Sequence, residues 1–182
     1  DLDLRGATLV LLLAALWGGN PVAIKIGLLD APPLRLGWMR FVLGGLSILA
    51  WAWWSGALAG LRVYRSEWRP LTFLGLLLAV QIALINFGTQ LTSASHSSVL
   101  INTYAVHTVV LAHFLVPGYR LTPRKLGGVM IAYAGIVILF ARQLGGGGAT
   151  LLGDLIVSGS ALLLAERTIY LARAVQRMDP AK

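Results

Sequence analysis

The run PLTFLGLLLAVQIALINFGTQ, residues 70–90, holds no charged side chain. A helix needs about 20 mostly apolar residues to cross the hydrocarbon layer. The run also lacks the in–out alternation that marks the roughly ten-residue strands of a membrane barrel. It reads as one transmembrane helix. Working outward, five more segments pass the same test: Ala7 to Leu29, Leu34 to Trp54, Ser97 to Val116, Pro123 to Ala141, and Gly153 to Val175. The expected fold class is therefore all-α, a polytopic helical membrane protein with six transmembrane helices.

Composition agrees. Hydrophobic residues make up 57% of the 182 and charged residues 12%, against roughly a quarter charged in a soluble domain. That balance argues against a water-soluble enzyme. The chain has no cysteine, which removes disulfide scaffolds, thiolate zinc sites and iron–sulfur clusters. A net charge of +8 would suit nucleic acid only if the basic residues shared one exposed surface. Here they fall in short clusters between apolar runs, so no nucleic-acid partner is expected; the partner is the lipid bilayer.

Those clusters set an orientation. Arg5, Arg62, Arg65, Arg69, Arg120, Arg124, Lys125, Arg173, Arg177 and Lys182 fall on one side, against Arg35 and Arg142 on the other. The excess of Lys and Arg in cytoplasmic loops puts both termini in the cytoplasm. Trp51, Trp53 and Trp54 then sit at the inner interface, where an aromatic belt belongs. Arg5 and the apolar stretch behind it could be mistaken for a secretion signal, but the run continues to Leu29, longer than the 7–15 residues of such a segment. It reads as a retained first span.

The first span contains Ala15-Leu16-Trp17-Gly18-Gly19-Asn20-Pro21-Val22-Ala23-Ile24-Lys25, followed by Pro32-Pro33 and Trp38-Met39-Arg40-Phe41. Farther on come Asn86-Phe87-Gly88, Thr92-Ser93-Ala94, Asn102-Thr103, Arg120-Leu121-Thr122-Pro123-Arg124-Lys125 and Gly135-Ile136-Val137-Ile138-Leu139. In order and spacing this resembles the EamA-type carriers of the drug/metabolite transporter superfamily. The resemblance implies an inverted-repeat, ten-helix transporter fold that works by alternating access. On that basis residues 1–142 form the first five-helix repeat, 143–152 a Gly-rich connector, and 153–182 the truncated first helix of the second repeat. Leu16-Trp17-Gly18 slides onto Leu163-Leu164-Ala165 without a gap. The expectation is an incomplete carrier of a small organic metabolite or drug in the bacterial inner membrane, completed by the missing second repeat or another copy. It is not expected to transport alone. One motif departs: Gly118-Tyr119-Arg120 stands where the family usually has Gly-Glu-Arg, so no role passes to that acidic position.

Polar residues inside the spans are the candidates for a substrate pathway, because buried ionisable groups usually face a bundle interior or a wet cavity. Lys25 lies near the outer end of its helix and either snorkels to the headgroups or stands at a cavity mouth. Arg40 lies deeper and keeps its proton, so it needs a partner or water; it is a structural ion pair or an anchor for a substrate anion. Glu166, beside Arg167, is a proton carrier or a charge that balances Arg40 or Lys25. Asn20, Asn86, Asn102 and His113 complete the proposed pathway, with Ser98, Asn102 and His113 near one helical stripe. Such amides also glue membrane helices together. His107 and His113 are six apart, not the four of HExxH, so no metal, cofactor or catalytic set is expected. Ser97 beside His96 and Ser158-Gly159-Ser160 lack the context of a nucleophile, which leaves an intramembrane enzyme without support. A non-transporting scaffold is the alternative to a carrier. The small residues Ala15, Gly19, Ala23 and Gly27, with Gly56 and Gly60 and with Gly128 and Ala132, are read as close helix contacts. The cluster ending in Pro21 suggests a hydrated kink.

Overall fold

Apolar runs bounded by Pro, Gly and charged turns fold as helices, the one way to satisfy an isolated backbone segment in lipid. The computed structural model describes residues 4–60, 64, 65, 67–141 and 150–175. In chain order it forms α1 (Leu4–Asp30), α2 (Pro33–Trp54), a 3₁₀ turn (Ala57–Gly60), α3 (Trp68–Leu91), α4 (Ala94–Asn102), α5 (Tyr104–Leu115), α6 (Pro123–Ala141) and α7 (Leu151–Val175). Pro33 opens α2 at a position where its missing N–H costs nothing. The Ser93 hydroxyl caps α4 by accepting from the His96 backbone N–H at 3.1 Å. Gly56 and Gly118 turn the chain with φ of 73° and 80°, a conformation that favours glycine.

Among the described residues five helical segments are long and apolar enough to span a membrane: α1, α2, α3, α7, and α4 with α5 taken together from Ala94 to Leu115. The sixth expected span, α6, is a 19-residue helix. Large apolar side chains such as Leu11, Leu43, Ile131 and Leu151 stand outward and exposed, which suits contact with lipid tails.

The core lies where α1, α3, α4 and α7 meet, and gathers Ile24, Ile85, Leu100, Ile101, Val157, Ala161 and Leu164. The centre is α7. It packs most extensively on α3, then on α5 and α4, whereas α6 packs chiefly on α5. Val157, Ala161 and Ala165 on α7 are wholly buried. Small side chains there let backbones approach, which matters where no hydrophobic effect drives helices together.

The tight contact is not where the small-residue spacing put it. Ala15, Gly19 and Ala23 are exposed, a β-carbon at Gly19, Gly56 or Gly128 would meet nothing within 4 Å, and of the two glycines in the α1 stripe only Gly27 abuts a neighbour, Leu36. The close approach joins Gly88 on α3 to Gly153 on α7. A β-carbon on Gly88 would lie 2.6 Å from Val157 Cγ2, and one on Gly153 would lie 2.8 Å from the Leu91 carbonyl carbon. Periodicity marks a face of a helix but not its neighbour. Helix α1 runs unbroken through Pro21, whose side chain is buried. The connector glycines Gly145 to Gly148, together with Arg62, Arg142, Arg177 and Lys182, lie outside the described residues.

Candidate functional site

Cross-helix hydrogen bonds fix the relative depth of the helices. Gln81 Nε2 on α3 donates to Ser160 Oγ on α7 at 3.3 Å, and Ser160 Oγ donates back to the Gln81 carbonyl at 3.0 Å. Trp17 Nε1 on α1 donates to Asn102 Oδ1 on α4 at 3.2 Å. Arg40 Nη2 on α2 donates to Asn20 Oδ1 on α1 at 3.0 Å. Each of these residues sits within about four positions of the middle of its own span, or about 6 Å at the rise of an α-helix. Together they form a polar layer at mid-membrane depth.

Within that layer the long span changes pitch. At Thr103 the hydroxyl and the backbone N–H both bond the Leu100 carbonyl, at 2.6 and 3.1 Å. The i→i+3 bond separates α4 from α5 and tightens the backbone locally, a device common at functional hinges. Asn102 Nδ2 donates to the Ser98 carbonyl at 2.7 Å, and the Trp17 ring lies 6.0 Å from that of Tyr104.

Two polar atoms of the expected pathway are buried without a partner: Arg40 Nη1 and Asn86 Oδ1. Asn86 has no exposure. Its Nδ2 donates to the Pro33 carbonyl at 3.0 Å, tying α3 to the start of α2. Arg40 is half-buried, and no carboxylate pairs with it among the described residues.

Lys25 has a different occupation. Its Nζ donates to the carbonyls of Thr89, Gln90 and Thr92 at 2.9, 3.1 and 2.5 Å. These are the carbonyls left free at the end of α3, so the ammonium caps that helix at the negative end of its dipole.

The remaining expected residues are dispersed. His113 is exposed, and its Nδ1 accepts from the Leu121 backbone N–H at 3.3 Å, in the turn before α6. Eleven positions separate it from Asn102, roughly 16 Å along a helix. Glu166 is exposed on α7 and forms no ion pair with Arg40 or Lys25. Its neighbour Arg167 is half-buried, with Nε buried and unpartnered.

A second polar cluster, beyond the expected set, lies where the α3–α4 turn meets the start of α7. Asp154, in the first turn of α7, accepts from Thr92 Oγ1 at 2.5 Å, and its carboxylate lies 3.0 Å from His96 Nδ1. The Thr89 and Ser97 hydroxyls share a buried hydrogen bond of 2.9 Å. Thr150 binds the Leu91 carbonyl through both its backbone N–H (3.1 Å) and its hydroxyl (2.9 Å). The cluster stitches the α3–α4 turn to the start of α7. Nothing in the spacing of His96 and Asp154 joins residues 58 apart.

Comparison with known proteins bears on what this arrangement does. An uncharacterized transporter of Archaeoglobus fulgidus is 31% identical over 174 residues, which cover 94% of this chain and 58% of that protein. A probable amino-acid metabolite efflux pump of Escherichia coli K12 is 28% identical over 177 residues, covering 91% of this chain and 53% of the pump. The chain thus spans little more than half the length of these relatives. No solved structure matches it significantly. The profile of the EamA-like transporter family matches residues 4–141, from α1 through α6, and the chain is accordingly a multi-pass membrane protein of that family.

Proposed function

We propose that this chain is about half of a carrier that moves a small organic metabolite across the bacterial inner membrane by alternating access. The observation that carries the reading is the mid-membrane polar layer, in which Arg40 holds a charge with a neutral amide as its partner. Charges are expensive at that depth and usually mark a path for solute or ion. Arg40, Asn20, Asn86 and Asn102 belong to this layer or the turn beside it and are the proposed pathway. Lys25 holds the end of α3 instead, and His113 shapes the inner turn. Glu166 projects from the free face of α7, where it is the proposed proton-coupling carboxylate facing the other half of the carrier. The exposed stripe Ala15, Gly19 and Ala23 suits a contact with that half or with another copy. The relative named as a probable amino-acid metabolite efflux pump makes amino-acid metabolites the first solutes to try.

The test is solute flux in proteoliposomes, comparing these 182 residues with a carrier of the relatives' length that contains them. Flux by the longer protein and none by the chain alone is the expected result. Flux by the chain alone refutes the half-carrier reading. No flux by either, across amino acids, amines, nucleosides and sugars, favours a non-transporting scaffold.

A further inference from the structure

We infer that Arg40, held by Asn20, is a binding site for a solute carrying one negative charge, a monocarboxylate. The inference rests on the carrier reading for its place in a pathway, but its chemistry stands on Arg40 itself. A guanidinium cannot shed its proton to escape a low-dielectric site. It has five N–H donors in a planar fork that matches a carboxylate with two parallel hydrogen bonds. At Arg40 a neutral amide, Asn20 Oδ1, takes Nη2, while Nη1 is buried with no partner. That is half of a fork used and half of it unsatisfied.

Among the described residues no carboxylate pairs with Arg40. The one carboxylate ion pair among the described residues joins Asp154 to His96. Glu166 lies on α7, which packs on α3, α4 and α5, whereas α2 packs on α3 and α1. An external anion completes the site.

Charge balance selects the anion. The other cation on α1, Lys25, is committed to three backbone carbonyls. One guanidinium matches one negative charge, and a doubly charged phosphate group would leave an excess charge in the membrane interior. Asn20 fixes the orientation of the fork and leaves Nη1 to point at the ligand.

The test uses the 182-residue chain in lipid nanodiscs, with thermal unfolding and tryptophan fluorescence as readouts. The probes are benzoate, butyrate, benzamide, benzylamine and inorganic phosphate. Benzoate and butyrate are expected to raise the unfolding midpoint and change the fluorescence, and the other three are not. Arg40→Gln is expected to weaken the benzoate response by about 10–100-fold, the worth of a charge-assisted hydrogen bond, and Arg40→Lys by less. Should Arg40→Gln fail to fold, Asn20→Asp decides. It places a carboxylate against the guanidinium, so the protein should stay folded and lose its response to benzoate.

The inference is overturned if neither carboxylate produces a response, if benzamide or phosphate matches benzoate, or if the benzoate response survives in Asn20→Asp. Failure here is separable from failure of the carrier reading. A carrier that moves amines or sugars while this chain ignores carboxylates keeps its transport role and loses only this site.

Discussion

Gly88 is the position where one added methyl group has the clearest consequence. Alanine there would put its β-carbon 2.6 Å from Val157 Cγ2, 2.9 Å from the Val157 backbone nitrogen and 3.0 Å from the Gly153 carbonyl oxygen. Val157 has no exposure and nowhere to turn, and two of the three contacts are backbone. Carbon atoms rest at about 3.5–4.0 Å, so α3 and α7 must part by up to about 1 Å along their most extensive interface. Overpacking of this kind costs about 1–3 kcal/mol. Gly75, on the same helix, is the internal control because a β-carbon there meets nothing within 4 Å. Gly75→Ala should be neutral or stabilising by up to about 1 kcal/mol through helix propensity. The assay is reversible unfolding in mixed micelles, titrated with SDS and followed by circular dichroism. Adding Val157→Ala to Gly88→Ala should recover part of the loss, since the backbone contacts remain. If Gly88→Ala is as stable as Gly75→Ala, α7 does not pack against α3 in this way, and the central placement of α7 is wrong.

Three further outcomes follow from the same geometry. Lys25→Met should lower unfolding stability by about 1–3 kcal/mol, because three carbonyls at the end of α3 lose their donor; unchanged stability in the SDS titration would return Lys25 to the solute pathway. His96→Ala and Asp154→Asn should each destabilise by about 1–3 kcal/mol, and their double-mutant cycle should give a coupling of about 0.5–3 kcal/mol, where a coupling of zero would deny the contact. Glu166→Gln should change stability by no more than about 0.5 kcal/mol, since the side chain is exposed and unpaired in this bundle. A large loss in that variant would mean that Glu166 has a buried partner.

The helices were legible because crossing a membrane demands a run of apolar residues whose length is visible without any knowledge of contacts. Arg40 and Asn20 were legible as candidates for a related reason: a charge in an apolar run stands out against its background. What they touch was not legible. Lys25 binds main-chain carbonyls, which every residue has, so its side chain gave no sign of a partner. His96 and Asp154 meet only because α7 inserts beside the α3–α4 turn, a long-range contact that leaves no local pattern. The stripe from Ala15 to Gly27 misled for the converse reason. Its spacing is real, but most of it faces outward here, and the close crossing uses Gly88 and Gly153, two glycines with no repeat around them. The change of pitch at Thr103 depends on a hydroxyl folding back to Leu100, and threonines elsewhere, such as Thr108 and Thr168, bond the preceding turn without breaking the helix.

The account stands on these helices crossing a bilayer in alternating directions, with the polar layer at its middle, and the absence of cysteine makes that directly measurable. Single cysteines would replace Tyr64 and Tyr119, in the turns expected inside, and Asp30 and Ser95, in the turns expected outside. The cells would then be treated with a membrane-impermeant thiol reagent. Asp30→Cys and Ser95→Cys are expected to be labelled in intact cells, and Tyr64→Cys and Tyr119→Cys only after permeabilisation. Labelling of Tyr119→Cys from outside, or equal labelling of all four in intact cells, would contradict this arrangement.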